Sequence, residues 1–493
     1  MSVIKIESYL QKNFSLSVLS VLAFLLFCRV ISMWYIPLND STEARYAEIA
    51  RKMLETGNWV TPLHDYGVPF WAKPPLSTWL SAFSMHCFGV NEFAVRLPGL
   101  LLSMAVVWLV WDLATKHSGF IVGRIAALVL TGTLYFYLDA GTVMTDPALL
   151  FCITLSMVAF WHGFAGNILW SYVFFVGLGL GLLAKGPIAV VLIGLPIFFW
   201  MLVRGHGLCF WKRIPWVKGT FITLAIALPW YILAEIRTPG FLNYFFIGEH
   251  LNRFLVPGWT GDKYGMAHNQ RWGMIWLYAL GGLFPWSIVG GCWLLKHWKN
   301  MPPLIQDEDG WMLYLLFCMC IPLIFFTFAS NIIYTYVFPS LPAFALLFAE
   351  VWKRSNYKSI NGLLILSMSC GLIFLTGTLI FVLKPELVAK TQKPLVLAWI
   401  KQTPALGSSL IYWNDKTEFS AQFYTAGKVK SANNAVVLRT LLHNNFENYL
   451  VVQSKDLNQV PGDVLSHCNK VETLRYKETK IILFHCPKFN MIG

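Results

Sequence analysis

Long apolar runs alternate with short polar segments over the first three quarters of the chain. A helix needs about 20 predominantly apolar residues to cross about 30 Å of hydrocarbon. Such runs lie near residues 15–36, 98–114, 120–138, 147–166, 168–184, 187–203, 219–235, 273–295, 311–328, 332–350 and 360–383. The pattern predicts a polytopic α-helical membrane protein with about eleven to thirteen spans. The number is a range because helices that follow one another directly can be counted as one span or as two.

The hydrophobic pattern changes at two places, and these changes set the predicted domains. A long polar segment, residues 37–97, separates the first two apolar runs and is predicted to be an external loop. After Lys384, short strand-like runs alternate with helix-compatible stretches, as is typical of a small α/β domain. We therefore predict a transmembrane domain over residues 1–383 and an external soluble α/β domain over residues 384–493.

Composition and charge agree with membrane insertion and predict its direction. The chain is 56% hydrophobic and 13% charged, whereas an average soluble domain is about a quarter charged. Its net charge of +13 comes largely from basic residues in alternate short loops, which predicts that these loops are cytoplasmic. They are Lys5 and Lys12; Lys116 and Arg124; Arg204, Lys212, Arg213 and Lys218; Lys296 and Lys299; and Lys353, Arg354 and Lys358. Because these residues are dispersed, nucleic-acid binding is not predicted.

The N-terminal apolar run and the cysteines also bear on the layout. The first run lacks a small-residue cleavage site, so we interpret it as a retained anchor and not as a removed signal peptide. Of the ten cysteines, only Cys468 and Cys486 follow residue 384. An external domain would permit them to pair, and the sequence leaves the pairing open. No nucleotide-binding loop is present, so nucleotide hydrolysis is not indicated.

The polar segment after the first run contains the most informative residues. Asp40 and Glu43 have the spacing of a capping box, in which both carboxylates only begin a helix. The same segment also holds Arg45, Tyr46 and Lys73, more polar chemistry than a helix start requires. The two carboxylates are therefore either a cap or part of a catalytic loop, and both alternatives remain open.

Further polar residues are predicted at the same external face. Asp146 either caps a helix that has proline at its first position or belongs to a site. Lys185 interrupts an apolar stretch, where it either extends to the interface or neutralises an anionic head group. His250 and Arg253 are about one helical turn apart and can point at the same ligand. Tyr336 opens a later span, where an interfacial aromatic residue is also expected.

The common side of these residues indicates a type of chemistry. Carboxylates beside lysine and arginine suit a substrate whose phosphate must be neutralised while another part is oriented or deprotonated. A secondary transporter or flippase is an alternative. Transporters usually keep ionisable residues near the bilayer midplane, whereas these residues are predicted at one interface, which favours an enzyme.

An ordered series of motifs resembles the GT-C fold of bacterial glycosyltransferases that use a lipid-phosphate sugar donor. The similar families are the lipid A aminoarabinose transferases and relatives of the protein O-mannosyltransferases. The motifs are Asp40-x-x-Glu43-Ala44-Arg45-Tyr46, Gly57-Asn58-Trp59, Lys73-Pro74-Pro75, Phe88-Gly89-x-Asn91, Arg96-Leu97-Pro98, Thr145-Asp146-Pro147, Lys185-Gly186-Pro187, Glu249-His250-x-x-Arg253-Phe254 and Tyr336-x-x-Pro339-x-x-Pro342.

The resemblance implies an activity and a location. A polyprenyl (undecaprenyl) phosphate would carry the sugar, and an envelope acceptor, lipid A, would receive it at the periplasmic face of the bacterial inner membrane. The sugar would be aminoarabinose or a related sugar, and a protein or another glycan is the alternative acceptor. The first external loop, residues 37–97, would be catalytic, and the N-terminus would be cytoplasmic.

The resemblance also implies roles for individual residues. The catalytic candidates are Glu43, Asp40 and Asp146. The side chains expected to bind substrate, with phosphate neutralised by some of the lysines and arginines, are Arg45, Tyr46, Lys73, Lys185, His250, Arg253 and Tyr336.

At two positions the residue in this chain differs from the one usual in the aminoarabinose transferases that it resembles. The aminoarabinose transferases usually have a carboxylate where this chain has Thr42, and often another where it has Ala72. A family-type zinc site that used the second carboxylate together with His250 would lose a ligand here. We therefore predict no certain cofactor and leave a divalent cation at His250 open.

Overall fold

The computed structural model describes residues 3–40, 42–205, 213–297, 309–355, 360–384, 390–414, 417–476 and 479–488, with side chains from residue 16 and without that of His297. Five of the lysines used to predict orientation lie outside the described side chains: Lys5, Lys12, Lys212, Lys299 and Lys358.

Helices account for nearly all of the described membrane domain. In chain order they are α1 (Val3–Tyr35), α2 (Thr42–Thr56), α3 (Leu76–Phe88), α4 (Glu92–Ser118), α5 (Phe120–Thr131), α6 (Leu134–Asp139), α7 (Asp146–Phe164), α8 (Ile168–Lys185), α9 (Pro187–Arg204), α10 (Trp216–Arg237), α11 (Phe241–Asn243), a π-helix (Tyr244–Asn252), α12 (Arg253–Leu255), α13 (Met274–Gly282), α14 (Trp286–His297), α15 (Trp311–Thr327), a 3₁₀ helix (Tyr334–Ser340), α16 (Leu341–Arg354) and α17 (Asn361–Leu383).

Each of the eleven predicted runs falls on one of these helices or on two consecutive ones. In the described ranges, eight helical segments are long and apolar enough to cross a membrane, and the pair α13 and α14, bent by 101°, makes a ninth if it is one span. The other two runs include α5 and α15, of 12 and 17 residues. At 1.5 Å per residue these reach only about 18 and 26 Å, so the count by length falls below the predicted range.

The segment between α1 and α4 folds against the helix ends as a compact layer. Besides α2 and α3 it contains an antiparallel hairpin of β1 (Leu63–Asp65) and β2 (Val68–Pro69). Apolar residues of α2 recur three residues apart, at Ala44, Ala47, Ala50 and Met53, and are fully buried. Every residue from Tyr46 to Met53 is buried, so α2 is enclosed on nearly all sides and contributes to a core of its own.

The C-terminal segment forms the predicted α/β domain. Its sheet has the order β4-β3-β5-β7-β6, with β3 parallel to β4 and β5, and β7 antiparallel to β5 and β6. Its elements are α18 (Lys393–Lys401), β3 (Leu410–Trp413), α19 (Phe419–Tyr424), β4 (Val429–Ala432), α20 (Ala435–Leu442), β5 (Asn448–Gln453), a 3₁₀ helix (Ser454–Gln459), α21 (Gly462–His467), β6 (Asn469–Tyr476) and β7 (Thr479–Cys486). Cys468 and Cys486 form a disulfide.

Helix α19 attaches the C-terminal domain to α2. The side chain of Asp40, just before α2, accepts hydrogen bonds from the backbone N–H of Ser420, at 2.9 Å, and from its hydroxyl. On α2 itself, Lys52 Nζ, fully buried, donates to the side-chain oxygen of Gln422 at 2.9 Å. A buried ammonium is costly without partners. The contacts of Lys52 and Asp40 therefore hold the C-terminal domain against α2.

Candidate active site

A cavity of about 450 Å³ opens where the ends of α7 and α8 meet α2, the π-helix and the 3₁₀ helix that precedes α16. Residues from separate parts of the chain meet there, as the prediction of a common face implies. Eight of the ten predicted site residues are in its wall: Arg45, Tyr46, Lys73, Asp146, Lys185, His250, Arg253 and Tyr336.

Asp146 and Lys185 form an ion pair at one side of the cavity. Asp146 is the first residue of α7, Lys185 is the last of α8, and their Oδ1 and Nζ atoms are 2.6 Å apart. Gly186, with φ of +90°, turns the chain directly into α9. A Cβ atom at this glycine would lie 2.6 Å from the ring of Phe245, so only glycine allows the π-helix to approach so closely.

Glu249 organises the opposite side of the cavity, and it was not among the predicted site residues. Its carboxylate lies 3.0 Å from Lys73 Nζ and 3.2 Å from Arg253 Nη1, and it accepts a hydrogen bond of 2.9 Å from the Tyr244 hydroxyl. Burial alone would raise the pKa of the Glu249 carboxyl. The positive charges of Lys73 and Arg253 lower this pKa by a larger amount, so it is below its usual value. The four-residue spacing of Glu249 and Arg253 was the available sequence signal.

Asp262, on the loop after α12, is a second carboxylate that the predictions omitted. Its Oδ2 atom is 3.1 Å from Arg253 Nη1, and Oδ1 accepts the backbone N–H of Tyr264 at 2.9 Å. Arg253 therefore lies between two carboxylates, which together with Tyr336 raise the pKa of its guanidinium against the lowering effect of burial. This arrangement keeps Arg253 charged and directed along the cavity wall.

Arg45 is the cavity cation without a carboxylate partner among the described residues. One of its terminal nitrogens donates to the backbone carbonyl of Tyr264. Its Nε atom is buried and has no hydrogen-bond partner in the described part of the chain. The guanidinium lies 5.5 Å from the ring centre of Tyr46 and 5.9 Å from that of Phe70. Arg45 therefore keeps donor capacity for an anionic ligand.

His250 contacts two backbone carbonyls. Nδ1 is 2.8 Å from the carbonyl oxygen of Phe245, and Nε2 is 3.2 Å from that of Lys185. Burial lowers the pKa of its imidazole. No group of three His, Cys, Asp or Glu side chains that could hold a metal occurs within the described ranges, so the residues present do not fit a zinc site at His250. The histidine instead joins the π-helix to the end of α8.

The predicted carboxylates Asp40 and Glu43 are outside the cavity wall. Glu43 forms a two-point ion pair with Arg96, with both N–O distances 2.8 Å, and accepts the backbone N–H of Asn39 at 3.2 Å. Burial raises the pKa of Glu43, but Arg96 lowers it by more, which leaves the carboxyl below its usual pKa. Asp40 holds the C-terminal domain through Ser420. Both have structural partners, and a direct role in catalysis stays a prediction.

Substituting Glu43 by Gln is expected to lower the free energy of unfolding by about 3 kcal/mol, because it removes one partner of a mostly buried ion pair and leaves Arg96 uncompensated. Glu55→Gln is the matched control on α2. Its side chain is 46% exposed and pairs with Arg51, so it should cost less than about 1 kcal/mol. Chemical denaturation in detergent measures both. An inactive Glu43→Gln protein of wild-type stability would instead favour a catalytic carboxylate.

Several known proteins resemble this chain in sequence. Residues 14–245 match the family described as dolichyl-phosphate-mannose-protein mannosyltransferase. An undecaprenyl phosphate-α-4-amino-4-deoxy-L-arabinose arabinosyl transferase of Pseudomonas fluorescens is 30% identical over 344 residues, which cover 65% of this chain and 56% of the relative. That of Erwinia tasmaniensis is 29% identical over 347 residues, 66% of this chain and 58% of the relative. The match thus spans less than two thirds of these relatives.

A solved structure extends the similarity to the whole architecture. The crystal structure of ArnT from Cupriavidus metallidurans bound to undecaprenyl phosphate matches with a TM-score of 0.75, covering 94% of this chain and 97% of ArnT at 17% identity. The chain has the GT-C fold. The fold predicted from the motifs is therefore confirmed, and the chain is a multi-pass membrane protein with a small C-terminal α/β domain.

Proposed function

We propose that the chain is a glycosyltransferase that moves a sugar, aminoarabinose or a related one, from undecaprenyl phosphate to lipid A. The observation that carries this proposal is the group of four cations that line one cavity, Arg45, Lys73, Lys185 and Arg253. Cations arranged in this way suit the phosphate of a lipid-linked donor. The donor class comes from the relatives, which are undecaprenyl phosphate-aminoarabinose transferases, and from the ArnT structure, which is bound to undecaprenyl phosphate.

In the proposed reaction, the donor enters sideways from the bilayer and its phosphate lies between Lys73 and Arg253, beside the Tyr336 hydroxyl. Attack of an acceptor oxygen on the anomeric carbon forms the new glycosidic bond while the bond from that carbon to the phosphate oxygen breaks. The electron pair of the broken bond stays on the leaving undecaprenyl phosphate. Lys73 and Arg253 stabilise this growing charge, which is the part of the transition state where fixed cations have most effect.

The acceptor approaches from the opposite face of the sugar, so the proposed reaction inverts the anomeric configuration. Asp146 is the predicted catalytic carboxylate that lines the cavity, and Lys185 holds it in place at 2.6 Å. If the acceptor is a hydroxyl, Asp146 accepts its proton. A lipid A phosphate already carries a nucleophilic oxygen and needs no base; Lys185 would then contact that phosphate, and Asp146 would orient the lysine.

The proposal is tested with purified protein in detergent, supplied with an undecaprenyl phosphate sugar and lipid A. Release of undecaprenyl phosphate and formation of glycosylated lipid A are measured by mass spectrometry, without any membrane potential. Transfer to a peptide in place of lipid A would favour the alternative protein acceptor. Movement of intact donor across liposome membranes, with no carrier released, would contradict the proposal and favour a flippase.

We also propose that the N-terminus is cytoplasmic and that the cavity and C-terminal domain are periplasmic. The basic ends of α4, α9 and α16 lie on one side of the protein. Lys353 Nζ, near the end of α16, donates to the carbonyl of Ser118, the last residue of α4, at 3.1 Å. Trp200 Nε1, near the end of α9, donates to the carbonyl of Gly310 at 2.8 Å. The cavity is at the opposite end of α9, where Ile188 and Leu192 line it. The disulfide of the C-terminal domain supports an oxidising compartment.

Reporter fusions test this orientation. We expect fusions after Lys358 to be active only with a cytoplasmic reporter, and fusions after Asn434 to be active only with a periplasmic one, because the positive-inside rule places the basic loops inside. Both sites reporting the same compartment would contradict the orientation.

A further inference from the structure

The wall of the cavity contains more positive than negative charge. Among the described residues, its cations are Arg45, Lys73, Lys185 and Arg253, and its carboxylates are Asp146, Glu249 and Asp262. The two histidines in the wall are His250, whose pKa is lowered by burial, and His268. With neutral histidines the wall carries one surplus positive charge, which equals the single negative charge of a phosphodiester such as a polyprenyl phosphate sugar.

Each of the three carboxylates already holds a cation. Asp146 is paired with Lys185 at 2.6 Å, Glu249 with Lys73 at 3.0 Å, and Asp262 with Arg253 at 3.1 Å. An ammonium group on the substrate would have to share a carboxylate that a lysine or an arginine already contacts. A cation in a partly enclosed site requires such a partner. The unpartnered carboxylate oxygen of Asp139 belongs to a residue outside the wall.

Two uncharged residues of the wall precede its cations in sequence. Thr42 begins α2 and Ala72 precedes Lys73, and each lines the cavity. Neither residue contributes a carboxylate to the wall.

We propose that the sugar this chain accepts on its lipid carrier is uncharged, a hydroxylated sugar without a free amine. This inference rests on the proposed function and narrows it from aminoarabinose and related sugars to the uncharged members of that class. The phosphate of the donor balances the surplus charge of the wall, and a hydroxyl group in place of the ammonium needs no carboxylate partner.

The experiment compares two donors that differ only in one group: undecaprenyl phosphate carrying 4-amino-4-deoxy-L-arabinose, and the same carrier with L-arabinose. We expect kcat/KM to be at least about tenfold higher for the L-arabinose donor. Thr42→Asp should shift the ratio of the two values at least about tenfold toward the amino sugar. Asp is favoured in the first turn of a helix, so this variant should fold. Thr42→Asn, of equal size but neutral, is the control and should leave the ratio unchanged.

A binding measurement separates this inference from the proposed function. The melting temperature of the protein is recorded with each donor and no acceptor, and we expect greater stabilisation by the L-arabinose donor. Absence of turnover with both donors would contradict the proposed function, while the binding preference would still test the charge. Equal or tighter binding of the amino sugar by the wild-type protein, or equal ratios for Thr42→Asp and Thr42→Asn, would overturn the inference.

Discussion

Arg253→Ala is expected to lower kcat/KM about 100-fold while the protein remains folded. Arg253 lies in the cavity between Glu249 and Asp262, where both carboxylates keep it charged and directed toward the proposed phosphate. Losing one charge-assisted hydrogen bond to phosphate costs about 1.5 to 3 kcal/mol, or roughly 10- to 150-fold in rate. Lys73→Ala should lower kcat/KM within the same range, since Lys73 shares Glu249 with Arg253.

The matched control is Arg271→Ala, because Arg271 lies in the same segment between α12 and α13, is exposed and does not line the cavity. It should retain wild-type kcat/KM. Arg253→Lys keeps the charge but loses the planar guanidinium that can bind phosphate through two nitrogens, so it should recover only part of the rate. Wild-type turnover in both Arg253→Ala and Lys73→Ala would favour an anchoring role for these side chains.

Asp146→Asn is expected to lower kcat at least about 100-fold, the usual contribution of a general base. It also leaves Lys185 unpaired, and removing one partner of a buried pair can cost about 3 to 5 kcal/mol of stability. Activity and stability are therefore measured together, by turnover and by thermal unfolding in the same detergent.

The double variant Asp146→Asn with Lys185→Met separates the two effects. It removes both charges, so the unpaired lysine no longer destabilises the fold, and we expect the melting temperature to return toward that of the wild type. Turnover should not return, because the carboxylate is still missing. Recovery of both quantities in the double variant would show that the pair only stabilises the junction of α7 and α8.

Eight of the ten predicted site residues line one cavity, and the cost of charge inside a membrane protein explains this clustering. Charged residues at the ends of apolar runs have few alternatives to a shared polar cavity, and Asp146 and Lys185 are such residues. Glu249 was part of a quoted motif but was not predicted as a site residue. Its distinguishing contact, with Lys73, joins residues 176 positions apart, and no local spacing predicts it.

The sequence by itself determined the membrane helices, the small α/β domain and the common face of the polar residues. These follow from properties that each segment has alone, namely the length of an apolar run, the alternation of a strand and the side on which lysine and arginine fall. Only the tertiary structure decided which carboxylate faces the cavity. Glu43 pairs with Arg96, 53 positions away, and Asp146 with Lys185, 39 positions away. An ion pair requires approach within about 4 Å, and helix packing, not sequence spacing, sets such distances between separate segments.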